Sequence, residues 1–165
     1  MAALVRVGVA GWDYPDWRGI VYPDGPRLDR LEYLSRFVDV VEINSSFYRP
    51  PAPTITAGWL RRTAARDAFA FTAKAHRGWT HEPDIDDATI GPTLDGLRPL
   101  LDSGRLRALL LQFPQSFRDG PPSRDRLQAL VDRAAGYPLV VELRHVDWQS
   151  DDALAWCGGL GIGWC

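Results

Sequence analysis

Short apolar runs alternate along this chain with stretches of helical spacing, and the alternation predicts its elements. Val38, Val40, Val41 and Ile43 place four β-branched aliphatics within six positions. A strand covered on both faces has that composition, whereas a half-exposed strand alternates cleanly with polar residues. Glu42 and Asn44 break the apolar run. A period of two sets Val40, Glu42 and Asn44 on one face, so a carboxylate and an amide project together from the strand's carboxyl end before Pro50 and Pro51 stop it. Further strands are predicted at residues 4–10, 69–74, 107–114 and 139–145, with a sixth beginning at 161–165. Gly8 and Gly11 let the first strand be approached closely or turn.

Helical spacing fills the intervals. Leu28, Leu31, Leu34 and Phe37 predict a first helix after a turn at residues 23–26, and Thr54 is read as the N-cap of a second carrying Trp59, Leu60, Thr63 and Ala64. Leu94, Leu97 and Leu101 give a third, after a polar stretch at residues 75–89 read as loop. Ser123 is read as the cap of a fourth, with Leu127, Leu130, Val131 and Ala134 facing inward, and residues 151–158 form a fifth. Strand followed by helix, repeated without a linker or low-complexity tract, demands a parallel sheet with right-handed crossovers, and residues 1–165 read as one α/β domain.

The polar residues on these strands gather at one end. Strand two closes with Glu42 and Asn44, strand three with Lys74, strand four with Gln112, and strand five with Glu142 and Arg144. In β/α barrels and doubly wound sheets the carboxyl ends form the ligand face, so this convergence predicts a binding or catalytic site. Glu42 and Glu142 supply carboxylates for acid/base work, with Lys74 as the third candidate catalytic group. Arg144 and Lys74 suit an anionic group, and Asn44 and Gln112 orient it by hydrogen bonds. Each residue has a structural alternative, such as a Glu42–Lys74 ion pair serving the fold alone.

Charge narrows the partners. A net charge of −2 and a pI near 5.9 provide no general basic field, so nucleic-acid binding has no support from charge balance and an anionic membrane none. Cys157 and Cys165 have neither metal nor redox spacing and no histidine base in view, which argues against a disulfide scaffold and a thiol nucleophile. No signal peptide or spanning segment is read, and a cytoplasmic location is expected. Glycine fingerprints for nucleotides are missing, so no cofactor is expected. A metal held by Glu42, Glu142, His81 and His145 has no supporting motif, and none is expected.

Five motifs carry a resemblance. Gly8-Val9-Ala10-Gly11-Trp12, Val41 through Tyr48, Phe71-Thr72-Ala73-Lys74 with His81, Leu110 through Pro114, and Val141 through His145 with Trp148 resemble, in this order, the domain-of-unknown-function 72 (YecE-like) family. The resemblance implies a TIM-type β/α barrel and supports the site but supplies no substrate. Trp12 and Trp148, in loops after strands one and five, suit stacking on a sugar or nucleobase or equally packing at the barrel mouth, and with Tyr48, His81 and His145 of the motifs they complete the substrate-binding candidates. Eight β/α units need roughly 200 to 250 residues. The 165 here supply five units and a sixth strand, so an incomplete, C-terminally truncated barrel is expected. Its open edges, with Val5, Val7 and Val9 on one side and Ile162 and Trp164 on the other, are expected to leave it marginal or self-associating. The function expected is an enzyme acting on a small polar or anionic ligand by acid/base chemistry; the alternative is a noncatalytic module binding a nucleotide, nucleic acid or sugar.

Overall fold

A computed structural model describes residues 5–23 and 28–165. Six parallel strands lie side by side in chain order: β1 (Gly8–Ala10), β2 (Val40–Ile43), β3 (Ala70–Lys74), β4 (Leu106–Gln112), β5 (Leu139–Glu142) and β6 (Gly163–Trp164). The helices between them are α1 (Arg30–Leu34), α2 (Pro53–Arg62), α3 (Arg77–Thr80), α4 (Asp87–Asp102), α5 (Pro121–Arg133) and α6 (Asp151–Gly159). Strand order that never reverses belongs to barrel winding, because a doubly wound sheet switches direction part-way. Among the described residues β1 and β6 each have one strand neighbour, so the sheet is an incomplete β/α barrel.

The period of two separates the sheet's faces. Val41, Ile43, Phe71, Ala73, Leu109, Leu111 and Val141 are all 0% exposed, and they share one core with Leu31, Leu97, Leu100, Leu127 and Leu130 of the helices. Each such side chain contributes about 1.5–3 kcal/mol by leaving water. The alternate positions Glu42, Thr72, Lys74, Leu110, Gln112 and Glu142 are only half-buried. Gly8 is required where β1 meets β2, since a Cβ there would collide with the Val40 carbonyl, and Gly11 turns the chain with φ of 75°.

Several boundaries differ from the sequence expectations. Helix α2 starts on Pro53 with Ala52 as its cap, and α5 on Pro121 after Gly120; neither Thr54 nor Ser123 is the N-cap. Proline's fixed φ suits the first helical position and sets both starts upstream of the hydroxyl residues. Helix α1 stops before Phe37, whose ring stacks at a tilt 4.9 Å from Tyr33 and stays 67% exposed. The stretch read as loop holds α3, and α4 starts after Asp86, whose carboxylate accepts from the Ala88 N–H. Strands one, four, five and six are shorter than expected. Leu4 and part of the turn at 23–26 lie outside the described residues. At the edges, Val9, Ile162 and Trp164 pack against the core, while Val5 and Val7 are exposed.

Candidate functional site

Parallel register carries the polar strand ends to one level: Glu42 lies beside Thr72, Lys74 beside Leu110, and Gln112 beside Glu142. Their side chains form one chain of contacts across four strands. Lys74 Nζ lies 3.7 Å from Glu42 Oε1 and 3.4 Å from Gln112 Oε1. Gln112 Nε2 donates to Glu142 Oε2 at 2.5 Å, and Arg144 Nε donates to Glu142 Oε1 at 2.5 Å. Donation to Glu142 fixes the Gln112 amide so that its oxygen faces the ammonium group.

The two ends of this chain differ. Burial alone would raise the Glu142 carboxyl, but hydrogen bonds from Gln112 and Arg144 and the charges of Arg144 and Lys74 outweigh it and hold it below the ordinary carboxylate value. Glu142 is therefore an anion at neutral pH. Lys74 has three N–H donors. Its contact with Glu42 is an ion pair beyond hydrogen-bond length, and its contact with Gln112 is long.

Lys74 and Gln112 share with Asn44, Phe47 and Tyr48 a cavity of about 260 Å³. Asn44 Oδ1 is sealed from solvent without a hydrogen-bond partner. Ser46 supports both neighbours: its fully buried hydroxyl shares one proton between the Ile43 and Lys74 carbonyls, 2.8 Å and 2.6 Å away. That bond ties the turn after β2 to the end of β3. Nothing in the sequence pattern distinguished Ser46 from Ser45 beside it, because the bond depends on tertiary contact.

The remaining sequence candidates divide. Tyr48 stands at the cavity, 71% exposed, with its ring edge-on to Phe47. His81 also packs edge-on to Phe47, at 5.0 Å, and its Nδ1 lies 2.8 Å from Thr80 Oγ1. Burial, then the positive charges of Arg144 and Arg77, push its pKa down. Trp12 sits at a neighbouring cavity with Asn44, braced edge-on by Trp59. His145 lies elsewhere: its Nδ1 accepts from the Asp147 N–H and caps the short turn Val146–Gln149. Trp148 packs inward. It is 0% exposed, its indole N–H donates to the Phe117 carbonyl at 2.9 Å, and its ring packs between Phe117 and Trp156, so it is core and does not face the cavity.

Cys165, which the sequence reasoning set aside, follows β6 and is exposed overall. Its N–H donates to the Val141 carbonyl just past β6. Burial, then the negative charges of Glu142 and Glu42, push its thiol pKa up. A raised thiol stays protonated and is no nucleophile. Among the described residues no three His, Cys, Asp or Glu side chains gather as a metal-binding group, so Glu42, Glu142, His81 and His145 do not converge. No helix among the described residues is long and apolar enough to cross a membrane.

The sequence model of a "Protein of unknown function DUF72" matches residues 6–165. The chain belongs to the DUF72 family. Both the family resemblance and the incomplete barrel expected from the motifs hold. Within DUF72, the solved structure of a family protein from Thermotoga maritima MSB8 aligns with a TM-score of 0.83 at 28% identity, over 98% of this chain and 64% of that one. Another from Enterococcus faecalis V583 aligns with a TM-score of 0.80 at 20% identity, over 98% and 60%, a likeness of fold alone. A curated relative, the UPF0759 protein YunF of Bacillus subtilis (strain 168), is 26% identical over 153 residues, 89% of this chain and 53% of its own length. The chain thus spans about half the length of that curated relative and less than two thirds of either solved chain.

Proposed function

We propose that the cavity at the carboxyl ends of β2 to β4 takes a small, polar, negatively charged ligand and moves a proton on it. The observation that carries this reading is the loosely held ammonium of Lys74, which lines the cavity with, among the described residues, only a 3.7 Å ion pair and a 3.4 Å contact. A buried or half-buried charge without close partners is poised for an external one. Lys74 binds the anionic group, and Asn44 and Gln112 orient it. Glu42, beside the ammonium, exchanges the proton. Glu142 acts through Gln112 as a positioning residue, holding the amide oxygen toward Lys74.

One observation favours a second reading, a binder without turnover. Glu142, the second carboxylate, is held ionised by its partners, so it is no proton donor to complement Glu42, whereas turnover by acid/base chemistry calls for both an acid and a base. Calorimetric titration with a panel of small carboxylates and phosphates, followed by turnover assays on those that bind, separates the two. Binding weakened by Lys74→Met and turnover abolished by Glu42→Gln support the enzyme. Binding with no turnover in any compound of the panel supports the module, and no Lys74-dependent binding overturns both.

A further inference from the structure

We infer that the ligand is a sugar acid or sugar phosphate lying along a cleft that runs from Lys74 past Asn44 to Trp12 and Tyr14; this rests on the reading above and adds the ligand's class. Two cavities at the rim share one wall residue. Asn44 lines both the 260 Å³ cavity of Lys74 and one of about 350 Å³ walled by Trp12, Asp13 and Tyr14. One cavity matches an anionic group and its neighbour offers aromatic rings, so a ligand reaching both has a charged end and a ring.

Asn44 decides what joins them. Its Oδ1 has no hydrogen-bond partner, and its side chain does not cap the turn that follows. An unsatisfied buried acceptor costs about 1–3 kcal/mol, which a donor from the ligand removes once the amide turns toward it. A flat aryl acid brings no donor to that point. A pyranose brings hydroxyls around its ring and C–H faces that pack on aromatic side chains.

The aromatic walls are built to stay in place. Trp12 is braced at 5.2 Å by Trp59, and its carbonyl accepts from the Tyr22 hydroxyl at 2.6 Å. Tyr14 donates its hydroxyl to the Ala10 carbonyl at 2.6 Å and packs 5.0 Å from Trp17. Both rings thus bind with little loss of side-chain freedom. Asp13, paired with Arg30 and 69% exposed, adds a carboxylate that accepts from sugar hydroxyls.

Titration of the whole chain by calorimetry, with D-glucuronate, glucose 6-phosphate, glucose and inorganic phosphate as probes, tests the inference. Glucuronate or glucose 6-phosphate is expected to bind about tenfold or more tightly than phosphate or glucose. Trp12→Ala or Tyr14→Leu should weaken the sugar acid about tenfold and leave phosphate unchanged, while Lys74→Met weakens both. Melting curves identify a variant that fails to fold, and the other aromatic variant then carries the test. Phosphate bound through Lys74 with no gain from the sugar, or sugar-acid binding indifferent to both aromatic variants, overturns this inference and leaves the proposed function standing. No Lys74-dependent anion binding by any probe overturns the two together.

Discussion

The two ends of the parallel sheet hold their charges differently. At the amino end Arg105 is buried, donates to the Phe69 carbonyl at 2.6 Å and to Thr63 Oγ1 at 2.8 Å, and lies over the rings of Phe69 and Phe71. Arg66, also there, donates to the carbonyls of Ser35 and Val38 and to Asp39 Oδ1 within 2.8 Å. At the carboxyl end the Lys74 ammonium has, among the described residues, no polar contact closer than 3.4 Å, and Asn44 Oδ1 has no hydrogen-bond partner. Close saturation by backbone carbonyls locks the chain. Loose contacts around a cavity leave capacity for a ligand. The contrast follows the rule that barrel stability lies at the amino face and chemistry at the carboxyl face.

Replacing the amino-end arginines should break the fold first. Arg105→Leu strands the Phe69 carbonyl and removes the guanidinium from over the Phe69 and Phe71 rings, while the Thr63 carbonyl keeps the Arg66 N–H and the Thr63 hydroxyl keeps the Trp59 carbonyl. The loss should be on the order of 2–3 kcal/mol in chemical denaturation. A loss below about 1 kcal/mol would show that the Phe69 carbonyl finds another partner. Arg66→Met removes three close bonds from a side chain 34% exposed, so water replaces part of them. Its loss should be about 1–2 kcal/mol by the same measurement.

These differences were partly legible in the sequence. Val41 and Ile43 against Glu42 and Asn44 revealed the faces of β2, because strand geometry needs only a period of two. The same logic brought Lys74, Gln112, Glu142 and Arg144 to one end. Trp148 was not legible: an indole in a loop after a strand reads equally as core or ligand platform, and only packing against Phe117 and Trp156 decides. Helix α3, four residues long, is too short for a helical period to emerge. Ser46 and Cys165 acquire their positions from neighbouring strands, information that no local pattern contains.

Acidification should affect the carboxyl end by a smaller amount. The folded Glu142 carboxyl lies below its ordinary value of 4.5, so its ionised form favours folding. That contribution is complete above 4.5 and is lost as pH falls through the lower folded value. His81 resists protonation in the fold, so it too disfavours folding at acid pH, beginning below its ordinary 6.5. Glu142→Gln should flatten the lower limb of a stability–pH curve by about 1 kcal/mol or less and leave the limb near 6.5 in place. A lower limb unchanged in this variant would assign the acid sensitivity to other carboxylates.

Lys74→Met should change stability least. Methionine keeps much of the aliphatic length of the lysine stem, and the protein contacts removed are one ion pair at 3.7 Å and one weak hydrogen bond at 3.4 Å. The group is 23% exposed, and removing its charge leaves Glu42, 24% exposed, still able to reach water. The expected stability change is within about 0.5 kcal/mol, whereas binding of a small anion should weaken about tenfold or more. A large separation between these effects is what distinguishes a group waiting for a ligand from one serving the fold. Should Lys74→Met cost several kcal/mol with anion binding intact, the carboxyl end would be held by the same kind of structural charge as Arg105, and the contrast between the two ends would fail.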